Sequence, residues 1–68
     1  MKGYQDRVIV EKKELDEKIK KLSNFIFSDK FDEVSERERP LIRNQFYVML
    51  SYSETLVKRI EIFGKEDE

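Results

Sequence analysis

The fold is decided by residues 15–26, which read LDEKIKKLSNFI. Apolar side chains recur in this stretch at spacings of four, three and four, at Leu15, Ile19, Leu22 and Ile26. Residues three and four apart lie on one face of an α-helix, so this spacing predicts an amphipathic helix with one buried face. Lys and Glu, which are good helix formers, occupy several of the polar positions between them.

The predicted helix extends in both directions, over about residues 4–27. Its weak point is the run Val8-Ile9-Val10, because three consecutive β-branched residues also suit a strand. No other segment offers a strand for this run to pair with, so we expect a helix. Three consecutive apolar residues cannot all face one core. At least one of them is therefore expected to be exposed or to contact another subunit.

A second helix is predicted over about residues 36–63. Its apolar stripe is interrupted at Ser53 and consists of Phe46, Met49, Leu56, Ile60 and Phe63. Two starting points are open. Ser35 and Glu38 form a capping-box pattern, whereas a proline in the first turn favours a start near Arg39, after a short turn over 35–38.

The remaining segments are a connector over residues 28–35 and a tail over residues 64–68. Phe31 and Val34 are the apolar residues of the connector, and we expect them to pack against the end of the core; a binding role for Phe31 is the alternative. Gly64 is the expected helix stop, because glycine is common just after the last helical turn. The tail is expected to be frayed.

Two long helices joined by a short connector pack antiparallel. The predicted fold class is therefore all-α, with residues 1–68 forming one antiparallel two-helix hairpin domain. A 68-residue chain buries a small core, and this one has no cysteine for disulfides. Oligomerisation is the support that remains, so we expect a homo-oligomeric helical bundle.

Composition argues against several classes of function. The net charge is −1, so there is no overall basic field for DNA or RNA. No apolar run approaches the ~18 residues of a membrane span, and the first residues lack a signal-peptide core. Histidine and cysteine are both absent, which removes the commonest general base and metal ligands. We predict a cytoplasmic protein with no cofactor or metal, and an enzyme is the least expected class.

A ladder of charged residues runs beside the apolar stripe of the first helix, at spacings of four, three, four and three. Its members are Arg7, Glu11, Glu14, Lys18 and Lys21. One interpretation is ion pairing along the helix, as in the pairs Arg7–Glu11, Glu14–Lys18 and Glu17–Lys21, each worth ~0.2–0.5 kcal/mol. The other is contact with a partner chain, or with a ligand held between chains, because the ladder lies at the shoulder of the buried face.

Cations and aromatic rings occur together in both helices. Basic residues cluster at 18–21 and at 37–43, near the turn end, where a phosphate group is one possible ligand and a solvated face is the alternative. At the open end, Tyr4 is expected to approach Tyr52 or Arg59 of its own or of another subunit, and Glu11 is a candidate partner for Arg59. A tyrosine with a cation is a plausible nucleotide clamp, because the ring stacks on the base and the cation pairs with phosphate.

Two groups of residues carry a resemblance to a known family. The first helix contributes Tyr4-Gln5-x-Arg7-Val8, Glu11, Glu14-Leu15-Asp16-x-Lys18-Ile19 and Lys21-Leu22. The second contributes Glu38-Arg39-x-Leu41, Gln45, Met49, Tyr52-Ser53, Leu56 and Arg59-Ile60. Together, over about residues 4–63, they resemble a family of small helical proteins of tailed phages and prophages, including crAss-like phages. Pro40 and Phe46-Tyr47 depart from that pattern.

The resemblance implies a function in evading host defence, inside the host cell cytoplasm. By analogy with phage proteins that act as sponges, it implies an oligomer that sequesters a nucleotide second messenger, of the cyclic oligonucleotide or cyclic ADP-ribose type, without turnover. The residues it implies as ligand contacts are Tyr4, Arg7, Lys18, Tyr52 and Arg59. The alternative is a small phage protein that inhibits a host protein through an apolar helix face, anchored by Val8, Ile9, Val10 and Phe46.

Overall fold

A computed structural model describes residues 3–66, apart from the side chain of Glu66. Helix α1 spans Gly3–Ile26 and helix α2 spans Arg39–Glu66, with a 3₁₀ turn at Asp29–Glu33 between them. Residues 3–66 contain no strand, which confirms the predicted all-α class. The helices run antiparallel: Tyr4 near the start of α1 contacts Phe63 near the end of α2. The hairpin is a thin rod of 50 × 15 × 15 Å.

The core is a narrow strip between the helices. Val8 and Leu15 of α1 are buried against Leu56 and Phe63 of α2. Half-buried residues extend this strip, namely Ile19, Met49 and Ile60. Leu56 is 0% exposed, as is one polar residue, Gln5. A strip this thin leaves much of each helix facing outward, as the helical spacing predicts for a hairpin of two amphipathic helices.

The run Val8-Ile9-Val10 is helical throughout. Val8 points into the core, whereas Ile9 and Val10 are exposed. The run is helical despite its β-propensity, because the helical period places Val8 against α2 in the core. No strand is present among residues 3–66 with which this run could pair. The prediction that at least one residue of this run lies outside the core is confirmed.

The connector is closed by an aromatic plug. Phe31 is buried, with its ring edge-to-face on Phe25 at 5.9 Å between centroids. The guanidinium of Arg43 lies 5.2 Å from the Phe31 centroid, within cation–π range. The predicted packing of Phe31 against the end of the core is confirmed. Helix α1 ends at Ile26 rather than at residue 27, because the amide of Ser28 bonds the carbonyl of Phe25, three residues back, and begins the turn.

Helix α2 begins at Arg39, later than residue 36, with Pro40 in its first turn. Proline has no amide hydrogen to lose there, so the second of the two predicted starts agrees with the structure. Ser35 still acts as a cap, for the turn before the helix: its Oγ accepts a hydrogen bond from the amide of Glu38 at 3.3 Å. The guanidinium of Arg39 then donates to the carbonyls of Val34 and Asp32, at 2.9 and 2.7 Å.

Gly64 does not stop α2, contrary to expectation, since the helix continues to Glu66. No glycine of the described residues has a positive φ, so Gly64 is helical rather than left-handed. A glycine stop is usually accompanied by an apolar residue that packs back on the last turn. The residues after Gly64 are Lys65, Glu66 and Asp67, which offer no such contact. Of the predicted frayed tail, residues 67–68 lie outside the described residues.

Candidate ligand-binding face

The five predicted ligand contacts are all exposed: Tyr4, Arg7, Lys18, Tyr52 and Arg59. Helical spacing relates them to one another. Tyr4 and Lys18 are two heptads apart in α1, and Tyr52 and Arg59 are one heptad apart in α2. Residues separated by heptads lie on nearly the same side of a helix, so each pair faces one way.

A shallow groove shows that these two rows lie on the same side of the hairpin. The groove is lined by Lys18, Lys21, Leu22 and Phe25 from α1 and by Gln45 and Met49 from α2. Gln45 is one heptad before Tyr52, and Lys18 is a member of the α1 row. We call this side, with the five predicted residues, the ladder side.

The five residues form an open strip rather than one pocket. Tyr4 and Lys18 are separated by 14 residues, which is about 21 Å along the helix axis. Because the helices are antiparallel, Tyr4, Arg7 and Arg59 lie toward the open end, whereas Lys18 and Tyr52 lie nearer the middle. Tyr4 packs edge-to-face on Phe63, at 5.7 Å between centroids. Within one chain Tyr4 therefore lies near the level of Arg59, four residues before Phe63, and not near Tyr52, 11 residues before it. An approach of Tyr4 to Tyr52 of another subunit stays a prediction.

The cations of the ladder side have no ion pair within the described part of the chain. The ion pairs predicted along α1, including Arg7–Glu11 and Glu14–Lys18, are not formed, and neither is Glu11–Arg59 across the hairpin; the pair that is formed within residues 3–66 is Lys12–Asp16. Long exposed side chains gain little from pairing in water, which is the physical reason. Arg7, Lys18 and Arg59 thus have no anionic partner among residues 3–66, and Glu11 and Glu14 lie in the same row as Arg7 and Lys18.

The basic cluster at residues 37–43 is partly occupied by the protein itself. Arg39 bonds two connector carbonyls, and Arg43 covers the ring of Phe31. These contacts hold the turn together, so the arginines at the start of α2 act as structural side chains. The cations without an ion pair among residues 3–66 include those of the ladder side, and also Lys13, Lys20 and Arg37.

A polar network on the opposite flank of the core was not predicted from the sequence. Asp16 forms an ion pair with Lys12 and accepts a hydrogen bond from Ser53 of α2 at 2.6 Å. Lys12 also donates to the Ser53 hydroxyl at 3.5 Å. The hydrogen bonds from Lys12 and then from Ser53 lower the pKa of Asp16 below its ordinary value of 3.8. The signal in the sequence was Ser53, a polar residue at the phase of the apolar stripe.

This network lies at the middle of a long open groove, formed by two adjoining hollows of about 560 and 670 Å³ that share Asp16 and Lys20. The apolar lining is Ile9, Ile19, Phe46, Leu50, Val57 and Ile60. We call this flank the groove side. It lies across the core strip from the ladder side, and the two sides share none of the residues that line their grooves.

No group of three or more acidic, histidine or cysteine side chains among residues 3–66 could hold a metal ion. Neither described helix combines the length and apolar character needed to cross a bilayer.

The fold and the ladder side define a small helical hairpin with an open, charged surface. The chain belongs to the Sequestin family, whose family model matches residues 2–62. It is also similar to an uncharacterized 7.5 kDa protein from the denB-rIIB intergenic region of Enterobacteria phage T4. The two are 48% identical over 63 residues, covering 93% of this chain and 98% of the relative. No solved structure matches.

These matches confirm the resemblance to a family of small phage proteins, over nearly the same range as the motifs predicted. The name of the family indicates sequestration, which is binding without a chemical step. The matches name no ligand and no assembly.

Proposed function

We propose that this chain is a phage immune-evasion protein that sequesters a nucleotide second messenger, of the cyclic oligonucleotide or cyclic ADP-ribose type, in a homo-oligomer and without turnover. It would act in the host cell cytoplasm. The ligand contacts are the five residues of the ladder side, Tyr4, Arg7, Lys18, Tyr52 and Arg59.

The observation that carries this proposal is the placement of three cations without an ion pair and two tyrosines on one side of the hairpin. Arg7, Lys18 and Arg59 provide positive charge for phosphates, and arginine does so with a planar, bidentate donor set. Tyr4 and Tyr52 provide ring faces for bases. Nucleotides combine these two needs, whereas inorganic phosphate requires no ring and an apolar ligand requires no cation.

The oligomer follows from the openness of the strip. A ligand that binds tightly and dissociates slowly needs most of its surface covered, and a single hairpin offers only one wall of a binding site. A second chain placed against the ladder side supplies the other wall. Closure between chains also slows release, and slow release is how most differences in affinity arise.

Native mass spectrometry tests the proposal on the protein as purified and after addition of a panel of cyclic dinucleotides, cyclic trinucleotides and cyclic ADP-ribose isomers. We expect an oligomer that carries whole numbers of one nucleotide class. A bare protein across the whole panel would contradict the nucleotide assignment and would favour a protein partner.

Matched arginine variants locate the binding surface. Arg59→Ala removes a ladder-side cation, whereas Arg37→Ala removes an exposed arginine of the connector. For the nucleotide that the panel identifies, we expect affinity to fall at least about tenfold in Arg59→Ala, which corresponds to about 1.4 kcal/mol, and to be unchanged in Arg37→Ala. Equal affinities in the two variants would exclude the ladder side. Circular dichroism of both variants checks that the helices are retained.

The alternative function, inhibition of a host protein through an apolar face, loses one of its expected anchors. Val8 is buried in the core and cannot contact a partner. Ile9 lines the groove side, whereas Val10 lines a hollow with Asp6, Arg7, Glu11 and Glu14. The expected anchors therefore do not form one continuous surface.

A further inference from the structure

The groove side is an apolar surface with no covering among the described residues. Ile9 and Val57 are each 37% exposed and Leu50 is 41% exposed, and half-buried Phe46 and Ile60 continue the surface along the same flank. Burying such side chains is favourable in proportion to the apolar area removed from water. This row sits beside the core strip, so a partner placed on it would extend the core rather than start a separate one.

The polar centre of the groove is already satisfied. One carboxylate oxygen of Asp16 accepts from Ser53 and the other pairs with Lys12. A partner that covers the groove therefore leaves these groups hydrogen-bonded. Loss of hydrogen bonds is the main cost of burying polar atoms.

The two rims of the groove carry opposite charges at heptad spacing. Lys13 and Lys20 lie on the α1 rim, where Glu17 also borders the groove. Glu54 lies on the α2 rim, and Glu61 follows it by one heptad. Consider a second copy related to the first by a two-fold axis parallel to the helices, with the two groove sides facing each other. The α2 of the second copy then lies over the α1 of the first. The lysine rim of each chain then faces the glutamate rim of the other, in both contacts at once.

The groove covers part of one long side of the rod. It extends from Ile9 to Asn24 of α1, 15 residues or about 22 Å along the helix axis. The long side measures 50 by 15 Å, or about 750 Å², and a stable standard-size interface buries about 800 Å² per partner. A dimer of standard size would therefore bury the groove together with its rims and the side chains beyond both of its ends.

We propose that two copies of this chain dock through their groove sides, with α1 of each copy lying against α2 of the other, to form a four-helix bundle. The ladder sides then face outward, in opposite directions. The inference rests on the proposed function for the claim that the chain self-associates, and it assigns the surface that does so before any nucleotide is bound. Further chains would be needed to cover a ligand on the ladder sides.

Two valine variants of α2 test the docking surface in the absence of nucleotide. Val57→Lys places a charge in the groove, and Val48→Lys places the same charge at an exposed position outside both hollows of the groove side. By size-exclusion chromatography with light scattering, we expect wild type and Val48→Lys to be dimers. We expect the dissociation constant of Val57→Lys to rise at least about tenfold, a change of about 1.4 kcal/mol, toward a monomeric mass. A monomeric wild type, or dissociation by Val48→Lys rather than Val57→Lys, would overturn the proposal.

A charge-reversal pair tests the orientation without touching the apolar row. One chain carries Lys13→Glu and Lys20→Glu, so both of its rims are acidic; the other carries Glu54→Lys and Glu61→Lys, so both are basic. We expect each variant alone to dimerise less than wild type and the mixture to form a 1:1 heterodimer, measured by native mass spectrometry at low salt. No preference for the heterodimer would overturn the crossed arrangement. Nucleotide binding is absent from both experiments, so their failure is distinct from failure of the proposed function.

Discussion

At the scale of single residues, Asp16 makes a short polar contact between the helices, to Ser53 at 2.6 Å. Its carboxylate receives Lys12 from its own helix and Ser53 from the other. The side chain is 45% exposed, so water screens the ion pair and limits its contribution. Its main effect is to fix the register of α1 against α2, because Ser53 is within reach of Asp16 at one alignment of the helices.

Replacing Asp16 by Asn is expected to lower stability at pH 7 by about 0.5–1 kcal/mol, because the ion pair is lost. The folded-state pKa of Asp16 is lowered, so its contribution is full well above 3.8 and is lost as the pH falls through the folded-state value. The difference between wild type and Asp16→Asn should therefore vanish in strong acid. Urea unfolding followed by circular dichroism, at one protein concentration, measures it.

The matched control for this variant is Glu17→Gln, which removes a neighbouring carboxylate that has no ion pair within residues 3–66. We expect it to change stability by less than about 0.5 kcal/mol at every pH. A wild-type advantage over Asp16→Asn that persists undiminished at pH 2 would show that Asp16 acts through packing rather than charge.

The residue scale is also where the sequence was least informative. Spacings of three and four along α1 indicated ion pairs at Arg7–Glu11 and Glu14–Lys18, yet the pair formed among the described residues is Lys12–Asp16. Local spacing permits each of these pairs equally. The choice depends on Ser53, which is 37 residues from Asp16 and adds a second donor to its carboxylate. The contact between Asp16 and Ser53 cannot be predicted from spacing along one helix, because it depends on how the two helices are aligned.

At the scale of elements, the two ends of α2 obey different rules. The sequence left two starts open, near residue 36 and near Arg39, and the structure has the one at Arg39, which keeps Pro40 in the first turn, where proline is tolerated. The end of α2 could not be predicted from Gly64, because glycine stops a helix only when the residues after it stabilise a left-handed turn. Gly64 has open space around the position of a Cβ atom and no positive φ.

Gly64→Ala is expected to stabilise the protein, by up to about 1 kcal/mol, because alanine loses less backbone entropy than glycine in a helix. Thermal unfolding by circular dichroism measures the shift in Tm. Gly3→Ala, at the first residue of α1 and also in open space, is the control and should have a smaller effect. A lower Tm for Gly64→Ala would instead indicate a left-handed stop at this position.

The connector shows how far a pattern of residue types can lead. Two apolar residues in a polar turn predicted a plug, and Phe31 is one. The contacts that hold it were not predictable: Arg43 lies over its ring, and Arg39 bonds two carbonyls of the turn. An arginine in a basic cluster can bind phosphate as well as it can bind a carbonyl or an aromatic ring. Only the position of the turn decides which of these partners Arg39 and Arg43 contact.

At the scale of the whole molecule, the hairpin has two unlike sides separated by a thin core. The helical periods in the sequence were sufficient for the fold class and for grouping Tyr4 with Lys18 in α1 and Tyr52 with Arg59 in α2, because heptad spacing fixes which residues of one helix share a side. They were not sufficient for the groove side, whose residues come from both helices and meet only through the antiparallel register. The binding role of the ladder side stays a prediction.

The central claim is that the protein holds a nucleotide intact. The most direct measurement is to mix the protein with the nucleotide identified by native mass spectrometry, remove free nucleotide by filtration, denature the protein by heat and quantify what is released by liquid chromatography and mass spectrometry. We expect full recovery of the unaltered nucleotide, in a fixed ratio to protein chains, however long the incubation. Loss of the nucleotide with time would contradict sequestration. So would its release into the filtrate after the free nucleotide has been removed and before the protein is heated.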